Sequence, residues 1–114
     1  MEDCLFCKIA AGEIPSTCLY DADGVFAFRD INPQTPVHFL VIPKEHISGV
    51  SAIDAGNSAL VAKCFEVIAR LAAQEPELAG GYRVISNCGD NAGQTVHHLH
   101  FHVMGGVRMN DRMG

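Results

Sequence analysis

The chain has no tryptophan, two tyrosines, and only eight lysines and arginines among its 114 residues. Thirteen acidic residues outweigh them and leave a formal net charge of −5. Binding nucleic acid through its phosphates takes a basic stripe, which this composition does not supply. No nucleic-acid partner is therefore expected, and any phosphate-bearing ligand must be held by backbone N–H groups and a few side chains. No apolar run approaches the roughly 20 residues that span a bilayer, so no membrane partner is expected either. The start, Met1-Glu2-Asp3-Cys4-Leu5-Phe6, lacks a basic stretch followed by an apolar one. We expect no signal peptide, and a cytoplasmic location. With no repeat, low-complexity tract or composition shift, residues 1–114 are expected to form a single domain.

What is present begins with apolar content. At 48% hydrophobic and 18% charged, the chain can build a core. A mean hydropathy of +0.15 in so short a chain hints at apolar surface covered by a partner subunit. The five cysteines are an odd number at scattered spacings, which suggests thiols or metal ligands rather than a disulfide framework.

Residues 4–11 read as a short amphipathic helix stopped by Gly12 and Pro15. Residues 18–21 and 25–29 read as two strands joined at Asp23-Gly24, a hairpin dipeptide. A third strand is expected over 37–42, ended by Pro43. Residues 54–74 are the long helix: Leu60, Cys64, Val67, Ile68 and Leu71 recur at helical spacing, and Asp54 is a plausible N-cap. Strands over 82–86 and 95–104 flank a loop, 87–94, rich in Asn and Gly. Five strands with one long helix between the third and fourth predict an α+β fold, an antiparallel sheet covered on one face.

The most informative run is His97-His98-Leu99-His100-Phe101-His102-Val103-Met104. Side chains alternate between the faces of a strand. His98, His100 and His102 would then share one face while Leu99, Phe101 and Val103 point into the core. His97 would face away. A neutral imidazole nitrogen can attack phosphorus and form a phosphoramidate that water later opens. The central ring, His100, suits that role if a carbonyl fixes its tautomer. Two other readings stand beside it: a solvated strand face without function, and a three-histidine catalytic zinc site. A tag is excluded by the interleaved apolar residues.

The stretch 98–104 resembles the signature of the histidine-triad (HIT) family, three histidines alternating with apolar residues. Phe6-Cys7-Lys8-Ile9, Glu13-Ile14-Pro15, residues 27–34 and 38–47, and Gly93-Gln94-Thr95-Val96 are also similar to that family. Gly105-Gly106 points to its Hint branch. The resemblance implies a HIT-like fold whose sheets join in a homodimer, with a purine-nucleotide (AMP- or GMP-type) site on each subunit. It implies a phosphoramidase-like hydrolase in which His100 takes the nucleotidyl group. Alternatives are a dinucleoside polyphosphate hydrolase of the same superfamily and a non-enzymatic AMP-binding adaptor. By the same resemblance, Asp30 would bind the ribose hydroxyls, and Leu5, Phe6, Ile9, Phe28 and Ile31 would wall the base pocket. Asn87, Gly93, Gln94 and Thr95 would surround the phosphate, with Thr95 and His102 near the leaving group and His98 completing the catalytic set. Taken singly, the apolar residues would be ordinary core. The tail, 107–114, lacks the tryptophan that some Hint proteins place near the leaving group.

Cys4-x-x-Cys7 is a spacing at which two thiolates reach one metal ion. Many bacterial HIT proteins resemble this chain there, and the resemblance implies a structural zinc held by Cys4, Cys7, His46 and His98. Without it, Cys4 and Cys7 are free thiols. Cys18, Cys64 and Cys88 read as structural, and His38 is given no role. No organic cofactor is expected.

Overall fold

The computed structural model describes residues 3–112. A short helix, α1 (Leu5–Ala10), leads into β1 (Cys18–Ala22) and β2 (Val25–Arg29). Between those strands Asp23 and Gly24 have φ of 56° and 79°. Positive φ at both central residues is the type I′ hairpin turn, whose twist matches that of the strands, and Asp-Gly tolerates it. Next come β3 (Val37–Pro43), the long helix α2 (Ser58–Ala73), β4 (Tyr82–Ile85) and β5 (Phe101–Gly105). The sheet order is β1-β2-β3-β5-β4, antiparallel at every pairing. The expected α+β arrangement of five strands and one long helix is what forms.

α2 lays Cys64, Val67, Ile68 and Leu71 against Val25, Ala27, Phe39, Val41 and Val103 on one side of the sheet. Three expectations need correction. The sheet is covered on both faces, since α1 packs Phe6 and Ile9 onto Phe26, Phe28, Leu40 and Ile42 on the other. All seven residues of β3 are buried in consequence. Asp54 does not cap α2. Its carboxylate accepts from the Gly56 N–H at 2.8 Å, forming the turn before the helix, and Asn57 takes the cap position.

The third correction matters for function. β5 starts at Phe101, and residues 95–100 leave the ladder. Val41 pairs with Phe101, so extending that register would set Leu99 opposite Pro43, which has no N–H. The Pro43 carbonyl is engaged by His98 Nε2 at 2.7 Å, and the Leu99 N–H donates to the Ile47 carbonyl at 2.5 Å. Apolar alternation survives, with Leu99, Phe101 and Val103 all buried in the α2-side core. The histidines nevertheless do not share a strand face: only His102 lies on the strand.

Candidate functional site

A neutral imidazole carries one hydrogen, and which nitrogen bears it follows from the partner of the other. His98 is fully buried, and its Nε2 lies 2.7 Å from the Pro43 carbonyl oxygen. A carbonyl only accepts, so Nε2 carries the hydrogen and Nδ1 is bare. His100 reverses the pattern. Its Nδ1 donates to the His98 carbonyl at 2.7 Å, leaving the Nε2 lone pair free. Neighbouring triad residues are thus linked through the backbone of one and the ring of the next. Burial pushes the pKa of both rings below the ordinary histidine value, against the opposing pull of those carbonyl bonds. Both are held neutral.

His102 lies opposite Leu40 in the sheet, its ring centroid 5.0 Å from that of His100. Its Nδ1 is 2.9 Å from Nε2 of His38, a buried residue of β3. His38 Nε2 also lies 3.4 Å from Asp30 Oδ2. For His38, burial outweighs the nearby carboxylate and lowers the pKa. Burial, then the neighbouring His100 and His38, push His102 down to about 4. His38 is the residue sequence reasoning missed. Alternation along β3 sends Phe39 and Val41 to the α2 side and His38 and Leu40 to the other, but only the pairing of β3 with β5 brings His38 beside His102.

A cleft of about 540 Å³ opens over this side of the sheet. His100 and His102 lie in its wall, with Asp30. Leu5, Phe6, Ile9, Phe28 and Ile31 supply apolar lining, and Asn87, Gly93 and Thr95 approach from the 87–95 loop. Phe6 meets the His100 ring edge to face, centroids 5.0 Å apart. Ile14, Leu40 and Val96 complete the apolar wall without having been expected there. Ile31 is 89% exposed, so it is a rim residue awaiting cover. Gly93 has φ of 79°, a left-handed conformation that suits glycine and turns the loop toward the cleft. Two expected residues take other places. The buried Gln94 side chain accepts from the Gly89 N–H at 2.8 Å and donates to the Ser48 carbonyl at 2.7 Å, so it braces the loop without lining the cleft. The His98 ring lies outside the cleft lining as well, directed at the N-terminal cysteines.

There it joins Cys4, Cys7 and His46, whose donor atoms all lie within 4.8 Å of one another. His98 Nδ1 is 3.4 Å from Cys4 Sγ and 3.5 Å from Cys7 Sγ, and His46 Nδ1 is 3.4 Å from Cys7 Sγ. Zn–S and Zn–N bonds at the tetrahedral angle put sulfur and nitrogen about 3.5 Å apart. The four residues therefore form a group that could hold a metal ion, and the bare Nδ1 of His98 is a lone pair available to it. Asp30, His38 and His102 also gather within 4.8 Å. Their 2.9 Å nitrogen–nitrogen separation is a hydrogen-bond distance, shorter than the roughly 3.3 Å between two nitrogens on one tetrahedral ion. Elsewhere, burial raises Cys64 to about 12, as suits a core thiol. His97 points outward to Asp90, as expected.

These histidines, their backbone locks and the sheet that carries them define a class. The HIT-domain family model matches residues 11–109, and the chain belongs to that family. An uncharacterised HIT-like protein of Synechococcus elongatus is 46% identical over 105 residues, covering 92% of this chain and 91% of that protein. The purine nucleoside phosphoramidase of Escherichia coli K12 is 42% identical over 105 residues, covering 92% of this chain and 88% of the enzyme. Among solved structures, a HIT family hydrolase from Clostridium thermocellum superposes with a TM-score of 0.95 at 45% identity, over 99% of this chain and 98% of that one. The crystal structure of a HIT family hydrolase from Legionella pneumophila gives 0.94 at 42% identity, over 98% and 100%. Among the described residues no helix is long and apolar enough to cross a membrane.

Proposed function

We propose that the chain hydrolyses purine nucleoside phosphoramidates through a nucleotidyl–His100 intermediate. One observation carries the reading: His100 is neutral, with Nδ1 tied to the His98 carbonyl and its Nε2 lone pair left for the cleft. In this reading Nε2 attacks the α-phosphorus as the P–N bond breaks. The amine departs with that electron pair and takes a proton from water. The hydroxide so formed attacks phosphorus, the P–Nε2 bond opens with its electron pair returning to the ring, and nucleoside monophosphate and neutral His100 are released. The apolar residues Leu5, Phe6, Ile9, Phe28 and Ile31 sandwich the base, and Asp30 accepts from the ribose hydroxyls. Asn87, Gly93 and Thr95 meet the phosphate, Gln94 supports their loop, and Thr95 and His102 stand by the leaving group. His98 acts through its backbone carbonyl.

The metal group is read as a zinc site. Cys4, Cys7, His46 and His98 would hold the ion, which would cross-link the N-terminal segment to the triad and leave the reaction to His100. Elemental analysis of protein purified without added metal should find one zinc per chain; none would discard the site. A homodimer is supported by Tyr82 and Val84 on the edge strand β4 and Phe65 on α2, all large and exposed on the α2 side. Sedimentation at micromolar concentration should give twice the chain mass. A cytoplasmic location fits free cysteines throughout.

The test of the reaction is His100→Ala assayed on adenosine 5′-phosphoramidate beside a diadenosine polyphosphate. The variant should lose turnover by at least about a thousandfold, and quenching the parent enzyme with denaturant at alkaline pH, where a P–N bond to histidine survives, should trap a nucleotidyl adduct on His100. Retained activity in the variant would remove His100 as nucleophile. Preference for the polyphosphate would replace the substrate class.

A further inference from the structure

One buried polar side chain beside the cleft has no part in the scheme above: His38, 4% exposed. We propose that His38 is a positioning residue that sets the tautomer of His102, so that His102 presents an Nε2–H to the departing group. The inference rests on the hydrolytic reading for its consequence but not for its geometry.

One donor beside His38 cannot change roles. The backbone N–H of Gln34 points at His38 Nδ1 over 3.0 Å. A peptide N–H only donates, so His38 Nδ1 must be bare to receive it. An imidazolium bears hydrogen on both nitrogens and could not. Neutral His38 therefore carries its single hydrogen on Nε2. That nitrogen faces His102 Nδ1 at 2.9 Å and, further off, Asp30 Oδ2 at 3.4 Å. Both can accept, and the nearer is the principal partner. His102 Nδ1 is then the acceptor, and the hydrogen of a neutral His102 lies on Nε2. Since Nδ1 is engaged by His38, Nε2 is the ring nitrogen His102 can offer to a ligand in the cleft it lines.

Two triad members thus present opposite chemistry from one residue type. The His98 carbonyl makes His100 Nε2 a lone pair, and the Gln34 amide, relayed through His38, makes His102 Nε2 a donor. A donor is what bond breaking requires. As the P–N bond opens, negative charge grows on the departing nitrogen, and a preorganised hydrogen bond to it lowers the barrier. His102 keeps its hydrogen throughout, so no proton changes hands in this contact.

The contribution should depend on how much help the leaving group needs. His38→Leu removes the relay, whereas His38→Gln places an amide N–H near the position of Nε2. We expect His38→Leu to lower kcat for an alkylamine adenosine phosphoramidate roughly tenfold to a hundredfold at little changed KM. The same variant should lose less than about threefold on the p-nitrophenyl ester of AMP, whose leaving group is stable unaided. His38→Gln should recover most of the alkylamine activity. Equal losses on both substrates, or a glutamine variant no better than leucine, would overturn the proposal. Long-range ¹H–¹⁵N spectra of the parent protein with labelled histidine read the tautomers directly, without any variant. Hydrogen on His102 Nε2 and on His38 Nε2 supports the relay; hydrogen on His102 Nδ1 refutes it. If the parent proves inactive on phosphoramidates, the reaction assignment fails while the spectra still decide the relay.

Discussion

The Nε2 of His98 lies 2.7 Å from the carbonyl oxygen of Pro43, the last residue of β3. Pro43 therefore acts twice. Lacking an N–H, it offers the Leu99 carbonyl no ladder donor, and its own carbonyl holds the neighbouring histidine with Nδ1 toward the cysteines. Two tautomers follow in sequence from that point, His98 set by the Pro43 carbonyl and His100 by the His98 carbonyl, backbone groups that cannot switch roles.

Leu99 anchors this stretch from the core side, fully buried between two histidines that face elsewhere. Leu99→Ala should cost about 2–5 kcal/mol of stability. Because the cavity lies directly beneath the His98 and His100 backbone, turnover at temperatures below the melting transition should fall as well. Denaturant unfolding paired with a steady-state assay measures both.

If the proposed zinc site is structural, removing its ligands should loosen the N-terminal segment more than the sheet. Cys7→Ser, or stripping with a strong chelator, should abolish bound zinc and lower the melting temperature. Hydrogen exchange is expected to speed up mainly over α1, which carries Phe6 and Ile9 onto the sheet. Nucleotide affinity should drop with it, since Phe6 and Ile9 line the cleft. An unchanged melting temperature after stripping would contradict a structural ion.

Acid should destabilise the fold through its buried histidines. His102 sits at about 4 against an ordinary 6.5, and His38 is lowered as well. The unfolded chain therefore binds protons between those values that the folded chain refuses. By linkage, this contribution to stability is complete above about 6.5 and is lost as pH falls toward 4. Melting temperature should decline from pH 7 to 4.5, and His102→Asn should flatten the slope. Identical slopes in parent and variant would show that other groups dominate.

Gly105, where β5 ends, leaves little room for a side chain. A Cβ there would stand 2.5 Å from Leu78 Cδ2 and 3.2 Å from the Gly81 carbonyl oxygen. Gly105→Ala should destabilise by about 1–3 kcal/mol through overpacking, read from chemical unfolding. The catalytic side should be spared, because Leu78 belongs to the α2-side core.

How much of this was legible beforehand depends on the range of the interaction concerned. Strand alternation, the Asp23-Gly24 turn and the 3.6-residue recurrence from Leu60 to Leu71 are local properties, set by backbone geometry and side-chain type within a few residues. They determined by themselves that the chain is α+β, that Leu99, Phe101 and Val103 are core, and that the histidines between them face away from α2. The residue pattern also carried the family. It did not reveal that β5 begins only at Phe101, that His98 parts company with His100, or that His38 joins the site. Those outcomes needed the Ile47 and Pro43 carbonyls, the Gln34 amide and the pairing of β3 with β5, groups separated along the chain by up to dozens of residues. Which nitrogen of a ring holds the hydrogen is decided by whatever the fold sets against it, and only tertiary structure supplies that neighbour.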